Sequence, residues 1–154
     1  METKDISFNS YTNRITRSVF TLLRMVIGWH LLYEGLIKLF NPDWTSAGYL
    51  LNSQWIFSGF FRSLAGSPVV LHIVDTLNIA GLIVAGLGLF LGIFTGISAI
   101  VGTLLLFLYY FSNPPFPGLI QGMGSEGNYL VINKNLIEAI VLILIALIPS
   151  NQFF

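Results

Sequence analysis

The segment from Arg17 to Phe40, RSVFTLLRMVIGWHLLYEGLIKLF, is apolar over enough residues to cross a bilayer, yet it carries Arg24, His30, Glu34 and Lys38. A membrane span needs roughly 20 mostly apolar residues. With about 100° of turn per residue and Arg24 set at zero, the other three fall at about 240°, 280° and 320°. All four share one helix face. A charge facing lipid at mid-membrane costs on the order of 2.5 to 3.5 kcal/mol even on the lenient insertion scale. This face therefore turns inward, toward other helices or water, and the rest of the chain has to supply its partners.

The remaining composition agrees with a membrane solvent. Hydrophobic residues make up 55% of the 154-residue chain and charged residues 9%, with a mean hydropathy of +0.79, which places it in the integral membrane class. The net charge is zero and there is no basic or acidic run, so nothing points to nucleic acid or another polyanion as partner. Cysteine is absent, which excludes disulfide exchange, thiolate catalysis, zinc-cysteine sites and iron-sulfur ligation by this chain alone. The opening METKDISFNSYTNR is polar, and the first apolar run is longer than a signal-peptide core and lacks an A-x-A pattern behind it. The first span is expected to be retained.

In chain order, residues 1–16 read as a polar tail with room for a short interfacial helix at its end, and 17–40 as the first span, closed by Asn41-Pro42 because the residue before proline disfavours helix. Residues 43–68, DWTSAGYLLNSQWIFSGFFRSLAGSP, are too broken and polar to span. Their aromatics, Trp44 and Trp55 among them, suit a pair of short helices at the membrane interface. A second span is expected over 69–94, with Gly81, Gly86, Gly88 and Gly92 allowing close helix approach. The third, over 97–111, has no charge and reads as scaffold. Residues 112–135, rich in proline and glycine, form a second long loop. The fourth span, over 131–149, carries Glu138.

These features predict an all-α fold: one domain over 1–154, an integral membrane four-helix bundle with two long extracytoplasmic loops. Lys4, Arg14 and Arg17 before the first span, against Arg62 and Lys134 in the loops, place both termini in the cytoplasm. The expected location is a bacterial or archaeal cytoplasmic (inner) membrane, with membrane lipid as the surrounding partner.

Counting at about 1.5 Å per residue from the outer ends, Glu34 and Asp75 both lie about 9 Å deep, His72 about 4 to 5 Å, Asn78 about 14 Å and His30 about 15 Å. His72, Asp75 and Asn78, three apart, share one side of the second span. Glu34, His72, Asp75 and Glu138 are thus expected to meet, with Lys38 above and His30 below. Acids buried beside a histidine and a lysine take up and release protons, as a quinone site requires. Glu34, Lys38, His72, Asp75 and Glu138 are the candidate catalytic groups. Arg24, His30, Asn78, Trp44 and Trp55 are candidate cofactor contacts, the loop aromatics covering a hydrophobic ring and tail. A satisfied ion-pair network, such as Glu34 with Lys38 and Asp75 with His72, explains the same residues without a ligand. Haem ligation by His30 and His72 fits poorly, since their depths differ by about 10 Å. No residue pattern suggests a metal site.

LRMVIGWHLLYEGLIKLFNPDW resembles the opening of the DoxX superfamily, with an Arg, a Gly-aromatic step, then Gly and Lys near the helix end. SAGYL, the following GSP, GLIVAGLGLFLGIFTGISAIVG and NYLVINKNLIEAIVLILIAL are similar to its DoxD-like branch, the membrane subunit of thiosulfate:quinone oxidoreductase. The positions that match are Arg24, Gly28, Gly35, Lys38 and Glu138. The resemblance implies a four-helix membrane subunit that passes electrons to quinone from an extracytoplasmic donor such as thiosulfate. A non-catalytic membrane partner, holding an extracytoplasmic protein through residues 43–68 and 112–134, is the alternative, and a homo-oligomer is compatible with either. A small-solute carrier ranks below both, because no inverted repeat with paired broken helices is present.

Overall fold

The computed structural model describes residues 2–119 and 130–147, with side chains from residue 14 onward. Among the described residues every regular element is a helix: α1 (Glu2–Phe40), α2 (Ala47–Leu51), α3 (Ser58–Ala65), α4 (Pro68–Leu91), α5 (Thr95–Ser112) and α6 (Lys134–Leu147). The polar opening expected as a tail is helical and continuous with the first span. No glycine precedes Gly28 and no proline precedes Pro42, so nothing interrupts the helix. It stops at Phe40, as the Asn41-Pro42 pair requires.

Among the described residues three helices are long and apolar enough to cross a membrane: 14–40 within α1, α4 and α5. The lateral surface of these helices is correspondingly apolar. Val19, Leu22, Val26, Trp29, Tyr33 and Ile37 form an exposed stripe along α1. Arg24, by contrast, is only 7% exposed. Exposed hydrocarbon with buried charge is the arrangement that a lipid solvent favours.

α1 and α4 run antiparallel and nearly touch. A Cβ added at Gly86 would lie 2.4 Å from Leu32 N, and one added at Gly28 would lie 2.5 Å from Phe90 N. Only hydrogen fits there, so the backbones approach as closely as small-residue packing allows. α4 then turns through Gly92, whose φ of 78° is a left-handed cap, and leads directly into α5. α5 packs on α6 through Gly102, where an added Cβ would meet Leu142 on α6 and Leu31 on α1. Leu31, Leu82, Ala85, Leu89, Ala99, Leu106, Ala139 and Leu142 close one core between the four helices.

The stretch 43–67 folds as the expected pair of short helices, α2 and α3, and it is tied down by polar contacts. Ser53 Oγ donates to Ser112 O at 2.7 Å, and Arg62 donates twice to Ser53 O, from Nε at 3.0 Å and Nη2 at 2.7 Å. This connection therefore sits over the C-terminal end of α5.

Candidate functional site

Lys38 is the centre of the polar face of α1. Its Nζ donates to Glu34 Oε1 at 2.9 Å, to Asn78 Oδ1 on α4 at 3.1 Å and to Tyr109 Oη on α5 at 3.2 Å. An ammonium has three protons, and all three are used. The Nζ also lies 4.9 Å from the Trp44 ring centroid and 5.0 Å from that of Tyr109, within the range of cation–π attraction. Asn78 Nδ2 closes the triangle by donating to Tyr109 Oη at 2.7 Å. The lysine side chain is 12% exposed and that of Glu34 is 32% exposed, so the carboxylate is the open side of the cluster.

The antiparallel register of α1 and α4 explains this set. Fourteen residues separate Arg24 from Lys38, and fourteen separate Asn78 from Gly92. Arg24 packs against Gly92, where an added Cβ would come within 2.2 Å of its Nη1, while Lys38 meets Asn78. The two helices are thus level at both contacts. Arg24 lies at the C-terminal cap of α4, where the helix dipole presents negative charge to its guanidinium.

The same register separates residues that were expected to converge. Lys38 is two residues below the end of α1, whereas Asn78 is ten residues into α4, so α4 begins about 12 Å beyond the end of α1. Depth counting from a common plane is therefore wrong by about eight residues of helix rise. His72 lies beyond the end of α1 and is exposed on α4, away from Glu34. Asp75 does not pair with His72. Its carboxylate accepts from Thr45 Oγ1 at 2.8 Å, from Ser46 N at 2.9 Å and from Ser46 Oγ, and so fixes the start of α2 against α4.

Glu138 leaves the cluster in the other direction. It lies 3.1 Å from His30 Nδ1, and Lys134 Nζ is 3.4 Å from His30 Nε2. His30 and Glu34 are one turn apart on α1, so two polar groups sit side by side along that helix. One faces α4 and α5 and the other faces α6. His30 is held by Glu138 and His72 sits beyond the end of α1, so the two histidines do not share a site. Among the described residues no group of three or more His, Cys, Asp or Glu is arranged to hold a metal ion.

Of the loop aromatics, Trp44 covers Lys38, but Trp55 belongs elsewhere. Its ring stacks on Phe111 at 5.9 Å and meets Phe116 edge-on at 5.0 Å, over the end of α5. Tyr109, near the end of α5, is also a member of the cluster. No charged residue in the sequence marks the inward face of α5. A roof is added by Tyr49 of α2, whose hydroxyl donates to Tyr109 O at 2.7 Å. Burial pushes the Tyr49 phenol up to about 12, which keeps it a neutral donor.

Apolar flanks, exposed hydrocarbon and a polar cluster buried between spans define an α-helical multi-span membrane protein. The model of the DoxX family matches residues 19–113, and the chain belongs to that family. The match contains Arg24, Gly28, Gly35 and Lys38 and stops short of α6 and Glu138. No curated protein and no solved structure matches the chain.

Proposed function

We propose that this chain is the quinone-reactive membrane subunit of an oxidoreductase, of the DoxD-like kind. In this reading α6 is a fourth span, both termini are cytoplasmic, and the connections 41–67 and 113–133 lie outside the cytoplasmic membrane. The observation that carries it is the triangle of Lys38, Asn78 and Tyr109 with the half-open Glu34 carboxylate beside it. A quinone presents two carbonyl oxygens on an apolar ring, and its reduction takes up two electrons and two protons. Hydrogen-bond donors and a titratable carboxylate under an aromatic cover suit both demands. The apolar flanks of α1 and α4 let a ring with an isoprenoid tail enter from the bilayer. The electrons come from an extracytoplasmic reductant such as thiosulfate or another sulfur compound, delivered by a partner protein, since this chain has no cysteine.

Within this function Glu34 and Trp44 keep the roles assigned to them, Lys38 and Asn78 order the cluster around them, and His30 with Glu138 supplies a second protonatable pair one turn further along α1. His72 and Asp75 fall outside the site by position. The test is mass spectrometry of the lipid-extracted, purified protein for bound quinone, together with quinone reduction by the Lys38→Met and Glu34→Gln variants. Recovery of quinone and a loss of reduction of tenfold or more supports the reading, and unchanged turnover in both variants removes these residues from the chemistry.

A second reading, a membrane partner without chemistry of its own, is favoured by the exposure of Ile56, Phe57 and Phe60 on the connection over α5. A stoichiometric protein retained in pull-downs, lost on Phe60→Asp and accompanied by no quinone, would select it.

A further inference from the structure

The lysine at the centre of the Lys38 cluster has no proton to spare for a ligand. It has given all three to Glu34, Asn78 and Tyr109. Another acceptor can bind it only by displacing one of them. The Tyr109 hydroxyl is in the opposite condition. A phenol oxygen accepts twice and donates once. Both acceptor positions are filled, by Asn78 Nδ2 at 2.7 Å and by Lys38 Nζ at 3.2 Å. Its proton can point toward neither of these donors, and among the described residues no acceptor receives it.

We infer that Tyr109 is the hydrogen-bond donor that holds a ring carbonyl of the ligand, with Lys38 and Asn78 as positioning residues that orient its hydroxyl, an assignment that rests on the quinone reading of the site. The electrostatics favour it. An O–H whose oxygen accepts from an ammonium and an amide is polarised and becomes a stronger donor. The phenol is also fixed in place: its ring lies 5.0 Å from the Lys38 ammonium, and the Tyr49 ring meets it edge-on at 6.1 Å. A donor fixed in advance loses little entropy on binding. Glu34, which has an acceptor oxygen that Lys38 does not occupy, stands beside it and suits a hydroxyl rather than a carbonyl. Tyr109 therefore favours the oxidised ring.

The proposal is tested by calorimetric titration of the full chain in lipid nanodiscs with two probes of similar shape, menadione and methylnaphthalene, of which only the first has carbonyl oxygens. In the wild-type chain menadione is expected to bind more tightly. Tyr109→Phe, which keeps the ring and its packing, is expected to weaken menadione roughly fivefold to tenfold, the worth of one hydrogen bond, and to leave methylnaphthalene unchanged. Tyr110→Phe is the control, because that hydroxyl is already donated to Val131 O at 2.7 Å, and it should keep the difference between the probes. An equal loss of both probes in Tyr109→Phe would reduce Tyr109 to a packing residue, and unchanged menadione affinity would likewise overturn the assignment while leaving the quinone reading in place. Equal binding of the two probes by the wild-type chain would overturn both.

Discussion

His30 on α1 and Glu138 on α6 lie 3.1 Å apart, a hydrogen bond between residues 108 positions apart in the chain. It draws α6 to the polar face of α1, and the two side chains are 31% and 17% exposed. Glu138→Leu leaves the imidazole without its acceptor and should lower stability by about 1 to 2 kcal/mol. Glu138→Gln keeps an acceptor oxygen and should cost under about 1 kcal/mol. Unfolding in detergent distinguishes them, and identical midpoints for both variants would show that the pair contributes nothing.

The Lys38 cluster predicts a non-additive pair. Lys38→Met removes the donor shared by Glu34, Asn78 and Tyr109 and leaves a half-buried carboxylate unpartnered, which should cost about 2 to 3 kcal/mol. Combined with Glu34→Leu, the same change should cost less than it does alone, because no charge remains without a partner. A double-mutant cycle measures the coupling. Additive losses would mean that water replaces the lysine at no cost.

At the α1–α4 crossing the glycines bear on stability directly. Gly28→Ala and Gly86→Ala each place a methyl inside 3 Å of the facing backbone and should destabilise by about 1 to 3 kcal/mol. Gly96→Ala in the first turn of α5 meets nothing within 4 Å and should be neutral or slightly stabilising. Thermal melts of the three variants side by side decide the point. A melting point for Gly96→Ala below those of the other two contradicts the packing.

Asp75→Ala removes the acceptor for Thr45 and Ser46 and should release the connection 41–67 without opening the bundle. Limited proteolysis is expected to cut this variant between residues 43 and 57 several-fold faster than wild type, with the spans still protected. Equal cleavage rates would show that Trp44, Tyr49 and Arg62 hold the connection by themselves.

Tyr49 gives the connection a pH dependence at the alkaline end. Its phenol ionises at 10.0 when free and is pushed up to about 12 by burial. The raised value means that the stabilisation from burying the neutral phenol is complete below pH 10.0 and is lost as the pH rises through about 12. A difference titration of phenolate absorbance, wild type minus Tyr49→Phe, should therefore rise near the upper value. A difference that is complete by about pH 10.5, close to the value for a solvated phenol, would place that hydroxyl in water.

Much of the molecule could be read from residue spacing. The period of Arg24, His30, Glu34 and Lys38 marks the inward face of α1 because hydrocarbon rejects charge everywhere else, and Asn41-Pro42 ends that helix because proline restricts its neighbour. The glycines of α4 announce close packing. What spacing could not supply was the offset between neighbouring helices: α4 begins beyond the end of α1, which gives Lys38 to Asn78, leaves His72 outside and turns Asp75 toward Thr45 and Ser46. Nor could it supply the rotation of α5, an uncharged helix whose only sign of an inward face is which rings and glycines pack. Periodicity is local and survives in the sequence. Register and rotation come from the fit of whole surfaces, and so Tyr109 entered the site, and Glu138 found His30, only when the helices were assembled.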